Sequence, residues 1–181
     1  GSEERVRKVK EEEKALLTKQ PYLDFFERIE KQKSDCVTFI NKELARGKKI
    51  WVFGASTKGN VILQYYNLDK NKIQAASERS PWKFGRYTVG THIPIVAEQE
   101  AREANPDYFL VLPYAFFDEM YDGETEWLQN GGKFIVPLPE FRVVGLENNQ
   151  RKEWKAYELL ASDPLLDETK SITTESNVTS E

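Results

Sequence analysis

Residues 50–63 have the sequence Ile50-Trp-Val-Phe-Gly-Ala-Ser-Thr-Lys-Gly-Asn-Val-Ile-Leu63, and this stretch decides the fold. Its β-branched and aromatic beginning predicts a strand over residues 49–53, and its apolar spacing predicts a helix over residues 57–68. The loop between them is bounded by two glycines. Such a loop can bring backbone N–H groups close to an anion, and a helix N-terminus adds partial positive charge. The stretch therefore predicts an α/β fold and a ligand edge together.

Strand and helix patterns alternate on both sides of this stretch. The other predicted helices cover residues 3–19, 22–46, 98–105 and a segment that includes Glu119 and Trp127, with Gly123 interrupting the pattern. The other predicted strands cover residues 73–77, 93–96, 108–112 and 133–136. This alternation predicts a Rossmann-like α/β fold of three layers, with a mostly parallel sheet and a preceding N-terminal helix.

The composition divides the chain into three parts. Residues 1–20 are predicted to be a tag remnant, Gly1-Ser2, followed by a charged helical lead-in. Residues 21–147 are predicted to form the Rossmann-like domain. Residues 148–181 are predicted to contain a C-terminal helix and an acidic, Ser/Thr-rich tail that is disordered.

The bulk properties exclude several classes of function. The 181 residues carry a net charge of -4 without a concentrated basic face, which argues against a nucleic-acid partner. No apolar run approaches the ~20 residues of a membrane helix. Cys36 is the only cysteine and His92 the only histidine, so the sequence predicts neither a disulfide framework nor a metal site. Cys36 lies on the apolar stripe of a predicted helix and is interpreted as buried, and we expect a cytoplasmic protein.

The glycine loop gives the first candidate ligand residues, Gly54, Ser56, Lys58, Gly59 and Asn60. The spacing G-x-x-x-x-G is neither the dinucleotide fingerprint nor a P-loop, because the lysine precedes the second glycine. Dinucleotide folds place an acid at the end of the second strand to bind ribose hydroxyls, and Glu78 stands there. The alternative is structural: the glycines make a tight turn and Glu78 forms a surface pair.

A second candidate cluster covers residues 78–95, where cations and aromatic rings alternate. Arg79 and Lys83 could receive phosphates while the rings stack on a base or sugar. The alternative is a crossover loop that packs on the sheet with its cations in solvent. His92 could be a general base, although a lone histidine before a strand also fits a structural role.

Tyr114 follows the fourth predicted strand on the carboxyl edge of the sheet, where open α/β sheets bind ligands. We therefore include Tyr114 among the candidate substrate-binding residues. No nucleophile elbow or Ser/His/Asp set is visible, so no catalytic residue is assigned.

Four ordered motifs resemble one known family. They are Phe-Gly-Ala-Ser-Thr-Lys-Gly-Asn, Glu-Arg-Ser-Pro-x-Lys-x-Gly, Gly-Thr-His-Ile-Pro-Ile and Gly-Gly-Lys-Phe-Ile-Val-Pro-Leu-Pro-Glu. Over residues 22–144 the chain resembles the C-terminal domain of S-adenosylmethionine-dependent sugar C-methyltransferases. Members of this family combine an N-terminal zinc-binding domain, a central methyltransferase domain and a Rossmann-like C-terminal domain.

The resemblance implies a helper role. The family's catalytic base and methyl-donor contacts belong to the central domain, so S-adenosylmethionine is expected in the parent protein and no cofactor in this chain. The implied partners are a nucleotide-linked deoxysugar and a methyltransferase domain of the same parent. Two alternatives remain open: a standalone nucleotide- or NAD(P)-binding enzyme of the reductase or epimerase kind, and a protein-interaction module with a degenerate binding loop.

Overall fold

The computed structural model describes residues 1–161. Its α-helices in chain order are α1 Ser2–Glu13, α2 Gln20–Ala45, α3 Gly59–Tyr65, α4 Glu98–Ala104, α5 Phe117–Gly123, α6 Thr125–Gln129 and α7 Ala156–Leu160. Its strands are β1 Ile50–Phe53, β2 Ala76–Glu78, β3 Ile95–Ala97, β4 Tyr108–Val111, β5 Lys133–Val136, β6 Arg142–Glu147 and β7 Gln150–Lys155. No helix in this part of the chain is both long and apolar enough to span a bilayer.

The strands form a single seven-stranded sheet in the order β3-β2-β1-β4-β5-β6-β7. Strands β1 to β5 are parallel to one another, and β6 and β7 add an antiparallel hairpin beside β5. The order reverses between β1 and β4, since the chain moves outward to β3 and then returns to the other side of β1. This arrangement confirms the predicted α/β fold with a mostly parallel sheet.

Alternating residues of each strand enter two separate cores, which is why helices cover both faces. Ile50 and Val52 pack with residues of α2 and α3 on one face. Phe53 points to the opposite face, where it joins Phe109, Phe134 and the helices α4 to α6. The period of two along each strand therefore produces the three layers.

The long helix α2 confirms the predicted helix over residues 22–46. Cys36 and Ile40 are fully buried on its sheet-facing side, as expected for the apolar stripe. Burial raises the pKa of the Cys36 thiol, so this side chain is an inert core residue. Gly47 ends the helix with a positive φ of 78°, and its N–H donates to the Leu44 carbonyl.

Several elements differ from the sequence-based expectation. The predicted helix over residues 3–19 ends at Glu13, and a 3₁₀ turn, Lys14–Leu17, follows it. Helix α3 ends at Tyr65, because Asn67 adopts a left-handed φ of 52°. Strand β2 is displaced to Ala76–Glu78. The predicted helix around Glu119 and Trp127 is two helices, and the interruption falls directly after Gly123.

The sheet continues past residue 147, where the sequence predicts the end of the domain. The β6–β7 hairpin turns at Asn148 and Asn149, which both have positive φ, and β7 then pairs along the whole of β6. The strand pattern of β7 is weak, because this strand lies at the edge of the sheet and carries charged residues. The short helix α7 follows, and the predicted disordered tail lies outside the described residues.

We predict that Gly59→Ala destabilises the domain by about 1–3 kcal/mol, because a side chain here overpacks the loop. An added Cβ would lie 2.5 Å from Cβ of Leu112 and 2.7 Å from Oγ of Ser56. Urea unfolding monitored by circular dichroism measures the change. Gly123→Ala is the matched control, since nothing lies within 4 Å of its added Cβ. Equal unfolding midpoints for the two variants would refute the packing argument.

Candidate functional site

The Gly54–Gly59 loop leaves β1 at the carboxyl edge of the sheet, and most of its N–H groups bind the protein itself. The N–H groups of Gly54 and Ala55 donate to the carbonyl of Ser77 in β2, at 3.2 and 3.0 Å. The N–H of Ser56 donates to the Gly54 carbonyl at 2.7 Å, and that of Gly59 donates to Oγ of Ser56 at 3.0 Å. These bonds fix the loop against β2, and they leave fewer donors for a bound anion than the sequence suggests.

Both glycines are required by close packing against the end of β4. Gly54 has a φ of +80°, and a Cβ added there would lie 2.7 Å from Cγ of Pro113. A Cβ added at Gly59 would lie 2.5 Å from Cβ of Leu112. The glycine loop and the start of α3 therefore pack closely on the residues that follow β4, beside the position where doubly wound sheets commonly bind ligands.

Between β1 and β2, at the carboxyl edge, Lys83 joins two segments of the chain. Its ammonium donates to the Ala55 carbonyl at 2.9 Å and to Oε2 of Glu78 at 2.6 Å. The other oxygen of Glu78 accepts the N–H groups of Arg79 and Ser80 at 2.9 and 3.1 Å. Lys83 thus ties the segment after β2 to the glycine loop.

The Glu78 carboxyl is ionised in this setting. Partial burial raises its pKa, but the hydrogen bond and charge of Lys83 together with the two backbone donors outweigh burial and hold the pKa below its ordinary value. A carboxylate whose oxygens already accept three donors is not arranged to bind a ribose. The structure brings Glu78 to the predicted edge, but as part of an internal anchor.

One side chain of the loop is exposed to a ligand. The Lys58 side chain is exposed, and within residues 1–161 it makes no ion pair. Asn60, in the first turn of α3, donates from Nδ2 to the Ser56 carbonyl at 3.4 Å, whereas its Oδ1 is buried without a hydrogen-bond partner in the described part of the chain. A buried acceptor left unpaired costs about 1–3 kcal/mol, and a ligand could reach this oxygen only after a local rearrangement.

The segment after β2 adds a cation and an aromatic ring to the same edge. Arg79 pairs with Glu98 through Nε at 2.8 Å, although 75% of its side chain remains exposed. Trp82 lies in a short 3₁₀ turn, Pro81–Lys83, and is 85% exposed. An indole this exposed makes little contribution to the core, and its place beside Lys83 makes it available for stacking.

The structure separates the two remaining candidates. Tyr114 follows Pro113 on the carboxyl edge and is 37% exposed, so it shares this edge with the glycine loop. His92 precedes β3 and therefore lies at the opposite, amino edge of the sheet. There it is an exposed turn residue with a φ of 55°, and its N–H donates to the Thr88 carbonyl at 3.0 Å.

Two residues that shape this edge of the sheet were not predicted from the sequence. Ser77 is fully buried in β2 and accepts the loop's N–H groups, while Pro113 occupies the space above Gly54. The proline after a strand is a visible signal, but its contact with a glycine 59 positions earlier depends on the strand order. Among residues 1–161, no three His, Cys, Asp or Glu side chains are grouped to hold a metal ion.

Comparison with known proteins gives two concordant findings. The family model described as the C-methyltransferase C-terminal domain matches residues 1–139. The C-methyltransferase NovU of Streptomyces niveus is 35% identical over 127 residues. That match covers 70% of this chain but only 30% of the relative, so the chain spans less than a third of the relative's length.

We predict that Lys83→Met raises the pKa of Glu78, because burial persists while the lysine donor and charge are lost. The lowered pKa in the wild-type fold stabilises the protein above the unfolded-state pKa, and this contribution disappears as the pH falls through the folded-state pKa. At pH 7 we expect a loss of about 1 kcal/mol from the ion pair, and in acid the difference from wild type should shrink to the part that the bond to the Ala55 carbonyl contributes. Carboxyl-detected NMR titration and urea unfolding between pH 3 and pH 7, a range chosen around the usual Glu pKa of about 4.3, measure both effects.

Lys58→Met is the matched control, since it removes an exposed lysine from the same edge without removing an ion pair. A Glu78 pKa that responds equally to both substitutions would contradict the assignment of Lys83 as the partner.

Proposed function

Because this chain belongs to the C-methyltransferase C-terminal domain family, we propose that it binds and positions substrate for a methyltransferase domain of the same parent protein. The proposed substrate is a nucleotide-linked deoxysugar, and the proposed setting is the cytoplasm. The chain supplies no methyl-transfer machinery in this proposal. Its contribution is orientation, which can account for several kcal/mol of a reaction barrier.

One observation carries the proposal: the carboxyl edge presents Lys58, an exposed lysine that makes no ion pair within residues 1–161. Lys58 offers a charge to the diphosphate of a nucleotide-sugar. Ser56, Arg79 and Tyr114 lie at the same edge, and Lys83 joins the two segments that carry Ser56 and Arg79.

The same edge gives no reason to assign a catalytic group. Glu78 is engaged with Lys83, Arg79 and Ser80, so it is a poor candidate for a proton acceptor. His92, the other candidate for a proton acceptor, lies at the amino edge of the sheet. These positions support a binding role for the domain, with chemistry assigned to the parent's methyltransferase domain.

The family suggests S-adenosylmethionine in the parent, but the glycine loop of this chain does not fit a nucleotide cofactor. Gly54 lies against Pro113, and Gly59 packs on the buried side chain of Leu112. The N–H groups of Gly54 and Ala55 are bonded to Ser77. We therefore propose that the methyl donor binds outside this chain, and the same packing argues against a dinucleotide in the loop.

We predict that Lys58→Ala weakens binding of a nucleoside-diphosphate-linked keto-deoxysugar about tenfold or more, because a charge-assisted hydrogen bond to phosphate is lost. Isothermal titration calorimetry on the chain measures the dissociation constant. His92→Ala is the control and should bind as the wild type does, since it alters the opposite edge.

Two results would overturn the proposal. The first is no saturable binding of the nucleotide-sugar, or binding that Lys58→Ala leaves unchanged. The second is tight NAD or NADP binding that a Glu78→Gln substitution weakens, which would favour a dinucleotide enzyme. If neither ligand class binds, the interaction-module alternative gains support.

A further inference from the structure

The N-terminal helices extend far beyond the sheet that they support. Helix α2 has 26 residues and is about 39 Å long, whereas β1 has four residues and spans about 13 Å. Oε1 of Gln32 accepts the N–H of Phe141, just before β6, and β6 starts opposite the carboxyl end of β5. Gln32 is therefore level with the carboxyl edge of the sheet. The preceding residues, 2–28, form what we call the helical arm.

One face of α2 is continuous from the core into the arm. A 4-3 spacing aligns seven residues on this face, Tyr22, Phe26, Ile29, Lys33, Cys36, Ile40 and Glu43. We call this face the α2 seam.

The two ends of the α2 seam differ in burial. Cys36 and Ile40 are 0% exposed, whereas Tyr22 and Phe26 are 58% and 56% exposed. Phe25, on the adjoining position, is also 56% exposed. Apolar residues of the seam therefore continue beyond the part of α2 that packs on the sheet.

The polar contacts of the arm do not explain this pattern. Within residues 1–161, the side chains of residues 2–28 make their ion pairs and side-chain hydrogen bonds only with one another, as between Gln20 and Asp24 or Arg7 and Glu4. Helix α1 has no buried residue. Contiguous exposed apolar surface on a helix marks an interaction site in most soluble proteins.

We propose that the uncovered part of the α2 seam, Tyr22 and Phe26, together with the adjoining Phe25, is the docking surface for the methyltransferase domain of the parent. This inference rests on the proposed function. The relative NovU is more than three times as long as the region it shares with this chain, and the shared family is a C-terminal domain. A large folded body is thus expected beside this domain.

The position of the seam favours that occupant. The arm leaves the domain at the carboxyl edge, which is the edge that carries Lys58 and Lys83. A methyltransferase domain seated on the seam would stand over this edge and complete the second wall of the substrate cleft. The substrate and the methyltransferase domain would then bind to neighbouring surfaces of this chain, as the proposed positioning role requires.

Hydrogen–deuterium exchange tests the inference on the isolated chain and on the full-length parent protein. Backbone amides of residues 20–28 should exchange at least tenfold more slowly in the parent. Phe26→Glu in the parent should return them to the fast rates of the isolated chain. Tyr157→Glu is the matched control, because Tyr157 is an aromatic residue on α7 that is 72% exposed and lies away from the arm.

Each other outcome rejects the inference. Equal exchange in the two proteins would show that the parent leaves the seam uncovered, and a parent without a methyltransferase domain would remove the occupant. An isolated chain that sediments as a dimer, and becomes a monomer with Phe26→Glu, would assign the seam to a second copy. Nucleotide-sugar binding by the isolated chain is measured separately and does not depend on Phe26, so failure of the docking surface is distinguishable from failure of the proposed function.

Discussion

The contact between the glycine loop and the end of β4 is the constraint on which the site depends. Gly54 and Gly59 lack the Cβ atoms that would collide with Pro113 and Leu112. The loop can therefore lie directly against the neighbouring strand, and helix α3 starts in close contact with the sheet. Packing of this closeness places the loop, α3 and β4 in one rigid unit.

The same contact bears on the place of the proposed ligand edge. Doubly wound sheets commonly bind ligands where the strand order reverses, and here Pro113 lies against Gly54 at that position. Toward β2, Lys83 connects Glu78 to the Ala55 carbonyl. The exposed lysine of the loop, Lys58, suits the binding and orientation that we propose.

The helical arm carries the proposed docking surface at the same edge as the proposed ligand site. Its apolar residues belong to the seam that forms the core, so their exposure cannot be attributed to a separate, irregular segment. A domain with a ligand edge and an uncovered apolar seam side by side is organised to act with another body. This organisation agrees with membership of a family defined as the C-terminal part of a C-methyltransferase.

The sequence by itself determined the α/β class, the family and most of the helices and strands. These features follow from local periodicities, such as the alternation in Ile50–Phe53 and the helical spacing around Cys36, which depend on residues only a few positions apart. It also indicated which loops gather at the carboxyl edge. The β6–β7 hairpin escaped prediction because an edge strand with charged residues carries little periodic signal.

Only the tertiary structure decided which atoms meet at that edge. Pro113 fills the space above Gly54, Ser77 takes the loop's N–H groups, and His92 lies on the far edge. Each of these facts depends on strand order and register, which bring together residues distant in the chain. Contacts of that kind have no local pattern, so the amino-acid spacing that predicted a nucleotide-binding loop could not reveal that the loop was already packed.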